Sequence, residues 1–370
     1  MIYFDHSATT PIHPKVVEKI DYINREHYAN PSSIYTQGRK AKSLIEKARN
    51  QVADAIGAKA EQIFFTSGGT EANNQVLWTK TEDKKKHIIV SSIEHPAILN
   101  VLKKIEPYGV TTSLLPVNTD GTVEIDSVTN LIHEDTGLIS IMLANNEVGT
   151  IQPVQEIVKI TRSLNIPFHT DAVQALGKIP VDVNSLGVEY LSLSAHKFYG
   201  PKGIGALFVK SKKMVKSLIV GGEQEYGIRG GTENIAGIVG MGLAAELATQ
   251  SQKNCHTQLK DLEKYFLKKL TSNFPDAKRN GSPDNGLPGL ISISFPGNKS
   301  DIIMAKLDRK NIAVSNGSAC NTGNVKPSTV LKEMGIKDDL NLSTVRISFG
   351  QDNNKKEIDL LISALKKEII

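Results

Sequence analysis

Lys197 stands in Ser194-Ala195-His196-Lys197-Phe198-Tyr199-Gly200-Pro201-Lys202-Gly203, after an apolar run and before a Gly/Pro-rich turn. Most lysines belong to solvated faces. An amine in this setting is partly desolvated instead, which lowers its pKa and suits it to Schiff-base chemistry. Asp171 closes another apolar run, in Phe168-His169-Thr170-Asp171-Ala172-Val173-Gln174. A third stretch, Ser67-Gly68-Gly69-Thr70-Glu71-Ala72-Asn73-Asn74, is a small-residue turn opening into a helix. Free N–H groups and the helix dipole make such a start an anion site, to which Thr70 adds a hydroxyl. Taken singly, each feature has an ordinary explanation: a solvated lysine, a helix cap, a turn that needs glycine for its geometry.

The three together specify more. A cofactor with a phosphate, a pyridinium nitrogen and an aldehyde needs an anion cradle, a carboxylate and a lysine. A nucleophile is also available. Cys320 follows Ala313-Val314-Ser315-Asn316-Gly317-Ser318-Ala319 and precedes Asn321-Thr322-Gly323-Asn324-Val325-Lys326-Pro327. These small and polar residues read as a mobile, exposed loop in which a thiol is reachable, against the default of a cysteine as a small buried hydrophobe. Cys255, beside a helix-forming stretch and outside every motif, reads as structural or incidental.

The elements that must position these groups are legible as alternating patterns. Apolar runs at Ile63–Thr66, Ile88–Ser91, Thr111–Val117, Leu138–Leu143, Pro167–Thr170, Tyr190–Ser194 and Ala206–Val209 predict strands. Helical spacing is found at Ala41–Gly57, with Gly57 as a stop, and at Ala97–Ile105 and Val154–Leu164. This alternation predicts an α/β fold with a mainly parallel seven-stranded sheet and helices on both faces. Ligands in such folds bind beyond the carboxyl ends of the strands, where the three turns fall. A helical stretch Ile235–Ala248 leads into a region of different texture. There helices Gln258–Leu270, Ile302–Leu307 and Ile358–Lys367 separate strands Ile291–Phe295 and Val345–Phe349, as in a smaller α+β domain. The expected division is a large domain at 15–248 and a small one from 1–14 and 249–370.

The 370 residues allow two cores. The net charge of +5, from 44 basic and 39 acidic residues, is too small and scattered to argue for nucleic acid or a membrane surface. Two cysteines imply no disulfide framework. The N-terminus lacks a signal-peptide apolar region, no apolar run is long enough to span a bilayer, and the expected location is cytoplasmic.

The chain resembles the NifS/IscS-type cysteine desulfurases within the fold-type-I pyridoxal-phosphate enzymes (class V aminotransferase family). The resemblance runs from Tyr3-Phe4-Asp5-His6-Ser7-Ala8-Thr9-Thr10-Pro11 through Asn30-Pro31-Ser32-Ser33, the phosphate turn, Glu94-His95 and Asn145-Asn146-Glu147-Val148-Gly149. It continues at His169-Thr170-Asp171-Ala172, Ser194-Ala195-His196-Lys197, Gly230-Gly231-Thr232-Glu233-Asn234, Gly317-Ser318-Ala319-Cys320 and Val345-Arg346-Ile347-Ser348-Phe349-Gly350.

The resemblance implies pyridoxal phosphate held covalently by Lys197, which later moves protons. It implies Asp171 on the pyridinium nitrogen, Gln174 on the phenolic oxygen, and His95 stacked on the ring and assisting proton transfer. Gly69, Thr70, Ser194 and His196 would hold the phosphate, with Thr232 from the partner of a homodimer. Asn146 and Arg346 would bind the substrate carboxylate, the arginine bidentately, and Asn146 would also border the cofactor. The implied reaction turns L-cysteine into L-alanine and a Cys320 persulfide, passed to an acceptor protein for iron–sulfur cluster, thio-tRNA or DNA phosphorothioate synthesis. No resident metal is implied, although Cys320 could transiently ligate a cluster with a scaffold partner. No membrane or direct nucleic-acid binding is implied.

Rival readings are an aminotransferase, which has no use for Cys320, a selenocysteine lyase, which a substrate comparison separates, and a non-catalytic copy of the fold. Asn316 replaces the usual serine and Lys326 the usual acidic residue of the family's loop. The chain also ends soon after Ile358–Lys367, without the longer tail some members use to dock a scaffold. These departures leave the acceptor open.

Overall fold

A computed structural model describes residues 1–317 and 326–369. Its centre is a seven-stranded sheet in the order Ile63–Thr66, Gly205–Val209, Tyr190–Ser194, Phe168–Asp171, Thr136–Ser140, His87–Ser91, Thr111–Leu115. Gly205–Val209 runs antiparallel to both of its neighbours, and the remaining pairings are parallel. Every residue of Ile63–Thr66, Tyr190–Ser194 and Gly205–Val209 is buried. Strands covered on both faces read as continuous apolar runs, which is why the sequence announces them.

The covering helices follow from local chemistry. Pro96–Ile105 begins with His95 as its cap and proline in its first turn, ends with Lys103 and Lys104, and buries Ile98, Val101, Leu102 and Ile105. Thr36–Ala55 buries Ala41, Ile45, Ala48 and Val52. The helical patterns at Ile235–Ala248 and Gln258–Leu270 are not two helices but one, Ile235–Asn273. The intervening stretch is polar but holds neither glycine nor proline, so nothing breaks the backbone bonds. Two apolar cores meet along this helix. Ala244, Ala245 and Ala248 belong to the first, and Cys255, Leu259, Leu262 and Phe266 to the second, which includes Phe4.

The second core lies beneath an antiparallel sheet ordered Thr344–Ser348, Leu290–Ser294, Lys278–Asn280. The short strand Ile2–Tyr3 pairs with Ile312–Ala313. The N-terminal segment therefore crosses between this region and the large sheet, and Thr10 donates from its N–H to the carbonyl of His196 at 2.9 Å. Among the described residues, no helix is long and apolar enough to cross a membrane.

Candidate active site

The ends of the central strands open on a cavity of about 500 Å³. Gly69, Thr70, His95, Asn146, Asp171, Gln174, Ser194, His196, Lys197 and Arg346 all line it, with Ser7, Asn73, Ser315, Asn316 and Gly317. Thr232 is exposed and is not among the residues of this wall. Cys320 lies outside the described residues.

Lys197 sits just past the strand Tyr190–Ser194, in a single helical turn. Its Nζ donates to the carbonyls of Ser7 at 2.6 Å and Ala8 at 2.8 Å. Burial, then the charges of Lys178 and Arg346, push its pKa down to about 7 against the opposing pull of Asp171 and Asp5. A large share of the amine is thus unprotonated near neutral pH. The next residue back, His196, shares a hydrogen bond between Nδ1 and the hydroxyl of Thr9 at 3.1 Å. Burial and the neighbouring lysines lower its pKa to about 4.

Asp171 ends the strand Phe168–Asp171 and is buried. Its Oδ2 accepts from Asn73 Nδ2 at 2.6 Å and its Oδ1 from the N–H of Val173 at 2.9 Å. Gln174 donates from Nε2 to the Ser7 carbonyl at 2.8 Å. His95 caps its helix by accepting the N–H of Ala97 on Nδ1 at 3.1 Å. Desolvation and the charge of Lys197 lower its pKa although Asp171 opposes them. A neutral ring that accepts on Nδ1 carries its proton on Nε2.

Below His95, Glu94 is fully enclosed. Its Oε1 accepts from the Ser91 hydroxyl at 2.6 Å and from the N–H of Met142 at 2.8 Å. Burial raises its pKa to about 8, so the carboxyl is protonated at neutral pH.

The small-residue turn becomes the helix Gly69–Thr79, whose first N–H groups have no partner within the helix. A Cβ on Gly69 would stand 2.7 Å from Val173 Cγ2, so only glycine brings this helix start so close to the turn after Asp171. Glu71 steadies it by accepting the N–H of Ser67 at 2.8 Å and the Nε–H of Arg229 at 3.0 Å.

On the opposite wall Arg346 donates from Nη1 to the Asn146 carbonyl at 3.0 Å and from Nη2 to Asp5 at 2.8 Å. Its buried Nε has no partner among the described residues, so three of the guanidinium's five N–H groups stay free for an anion. A Cβ on Gly317 would fall 2.0 Å from Glu147 Oε2, and the same oxygen accepts from the Ser328 hydroxyl. Glu147 therefore touches the chain on both sides of 318–325. Burial raises its pKa to about 7, against Ser328 and Arg346.

This donor set fits pyridoxal phosphate: a helix start that a side chain would fill, a carboxylate held by two donors, and an amine whose pKa is lowered to about 7, in one cavity. Asn73, Glu94, the carbonyls of Ser7 and Ala8, and Lys178 are not singled out by reasoning from the sequence. Asn73, Glu94, Ser7 and Ala8 do lie within the motifs, which is the signal that could have found them, whereas Lys178 lies outside them.

A family model described as Aminotransferase class-V matches residues 2–361. Similar to this chain is a protein named "Cysteine desulfurase IscS" from Dictyoglomus turgidum, 42% identical over 371 residues, covering 100% of this chain and 94% of its own length. A solved structure of a NifS-like protein aligns with a TM-score of 0.93 at 36% identity, covering 99% of this chain and 98% of its own. A structure described as SspA in complex with cysteine aligns at a TM-score of 0.83 and 35% identity, covering 95% of this chain and 99% of its own. The seven-stranded sheet, the cavity at its strand ends and this near-complete match agree: the chain belongs to the class-V aminotransferase family, with the fold-type-I pyridoxal-phosphate fold.

Proposed function

We propose that this protein is a cysteine desulfurase, which takes sulfur from L-cysteine, releases L-alanine and holds the sulfur on Cys320 as a persulfide. The observation that carries the reading is the convergence of Lys197, Asp171 and Arg346 on one cavity whose wall includes Ser315, Asn316 and Gly317. In the sequence Cys320 follows Gly317 by three residues.

In this site Gly69, Thr70, Ser194 and His196 hold the phosphate of pyridoxal phosphate. Asp171 pairs with its ring nitrogen, Gln174 with its phenolic oxygen, His95 with its ring face, and Lys197 is the covalent anchor. The bound cofactor supplies a sink for the electron pair left on the substrate's α-carbon when its proton is removed. Arg346 and Asn146 hold the substrate carboxylate and so orient the α-proton. Lys197 would receive that proton at Nζ, which its lowered pKa permits. His95 keeps a proton at Nε2, available to a developing negative charge. The Cys320 thiolate then attacks the substrate sulfur: the carbon–sulfur bond breaks, a sulfur–sulfur bond forms, and the three-carbon remainder is protonated to alanine.

The active unit is a homodimer in which Thr232 reaches the partner's phosphate site. Large apolar side chains left in water support this, with Tyr28 82%, Ile34 88% and Val220 85% exposed. The enzyme works in the cytoplasm and hands sulfur to a protein of iron–sulfur cluster assembly, tRNA thiolation or DNA phosphorothioation. The test is incubation of the cofactor-loaded protein with L-cysteine and a reductant. Alanine and sulfide should appear in equal amounts, and the absence of alanine would contradict the reading. Sedimentation showing a fully active monomer would remove the homodimer.

A further inference from the structure

We propose that Lys178 is a positioning residue of this site: its ammonium fixes the side-chain amide of Gln174 with the N–H₂ turned to Ser7, and it places a second positive charge beside Lys197. This rests on the reading of Lys197 as the cofactor-linking amine. Lys178 Nζ donates to Gln174 Oε1 at 3.0 Å. Gln174 Nε2 donates to the Ser7 carbonyl at 2.8 Å, and Lys197 Nζ donates to that same carbonyl at 2.6 Å. An ammonium has donors and no acceptor, so the amide must offer it oxygen, and its two N–H groups point the other way. One goes to Ser7, and the second is left for a ligand.

Lys178 and Lys197 share the wall of a second cavity, of about 290 Å³. Lys197 and Gln174 also line the main cavity. Lys178 is tethered from behind, where its carbonyl accepts from Gln252 Nε2 at 3.3 Å and lies 3.1 Å from His256 Nδ1 of the long helix. Among the described residues the titratable groups that interact with it are Arg346, Lys197, His6 and the thiol of Cys255, whose own pKa burial raises, and no carboxylate forms an ion pair with it. Burial and Arg346 lower its pKa to about 8, which leaves it mostly charged at neutral pH. That charge adds to the effect of Arg346 on Lys197 and opposes Asp171 and Asp5. His95 and His196, which also face Lys197, have lowered pKa values and add no positive charge at neutral pH.

The test uses the full-length, cofactor-free protein. Trace acetylation with acetic anhydride over a pH series, read on the Lys197 peptide by mass spectrometry, gives the midpoint at which that amine loses its proton. In wild type it should lie near about 7. Lys178→Met and Lys178→Gln both remove the charge and should raise it by about one pH unit. Lys178→Arg keeps charge and donors and should leave it in place.

Equilibrium binding of pyridoxal phosphate separates the positioning role. Lys178→Met frees the Gln174 amide and should weaken binding by about tenfold. Lys178→Arg and Lys178→Gln, which still offer Gln174 a donor, should restore most of it. An unmoved Lys197 midpoint in both the Met and Gln variants, or wild-type affinity in Lys178→Met, would overturn the proposal. A wild type that binds no pyridoxal phosphate while its Lys197 midpoint still shifts in the variants supports the charge relation and overturns the function proposed above.

Discussion

Asn73 and Asp171 are joined by a 2.6 Å hydrogen bond between two buried side chains. Asn73 comes from the helix that begins at the small-residue turn, and Asp171 from the end of the strand Phe168–Asp171. One bond thus ties the anion cradle to the carboxylate, and the Val173 N–H fixes the second oxygen. The carboxylate is held in place before any ligand arrives, which is the condition for strong electrostatic stabilisation.

Asp171→Asn should retain most phosphate-led cofactor binding while turnover falls by roughly a hundredfold or more. An amide cannot stabilise a protonated ring nitrogen. Steady-state rates at saturating cofactor check this, and wild-type turnover in the variant would remove the role given to Asp171.

The lowered pKa of Lys197 has a sign that can be measured. Only the neutral amine adds to an aldehyde, so uptake of pyridoxal phosphate by the cofactor-free protein should accelerate as pH rises through about 7 and level off above it. A lysine with an ordinary pKa of 10.5 would give a rate still climbing well above pH 8. Lys197→Ala should abolish the near-ultraviolet to violet absorption that persists after desalting in wild type.

Glu94 makes an opposite demand on stability. Its pKa is raised in the folded chain from 4.5 to about 8, so between those values the folded state holds a proton that the unfolded chain has lost. Stability conferred by this group is complete below the lower value and declines as pH rises, by roughly 1.4 kcal/mol per pH unit, until about 8. Glu94→Gln keeps the shape and removes the titration. Its melting temperature relative to wild type should climb from pH 5 to pH 8, and a constant difference would show that Glu94 does not titrate there.

Much of this was legible before any coordinates. Ile63–Thr66 and Tyr190–Ser194 are readable to the residue because both faces are buried, a polar residue precedes each (Gln62, Glu189) and a small one follows (Ser67, Ala195). Thr111–Leu115 stops short of the expected Val117, which instead bridges to Val123 in a turn. Ile2–Tyr3 and its partner Ile312–Ala313 are too short to show any period. Gly69, Thr70, His95, Asp171, Gln174, Ser194, His196 and Lys197 converge because they stand at or just after the ends of central strands, which topology brings together, whereas Arg346 comes from within the strand Thr344–Ser348 of the other sheet and Thr232 is not on this wall. The partners of Lys197 were hidden for a different reason: they are backbone carbonyls of Ser7 and Ala8, which any residue type supplies. The four-residue step from Gln174 to Lys178 lies in a turn rather than a helix, so spacing gave no hint of their contact.

The central claim is that sulfur passes from L-cysteine to Cys320, and its most direct test is the mass of two peptides. After brief exposure of the cofactor-loaded enzyme to L-cysteine without reductant, the peptide carrying Cys320 should gain one sulfur atom. The peptide carrying Cys255, buried in the long helix with its pKa raised by burial, should gain none. Cys320→Ser should bind pyridoxal phosphate normally and yield almost no alanine. Sulfur found only on Cys255, or a normal alanine yield from the serine variant, would contradict the account and return the protein to an aminotransferase-like chemistry.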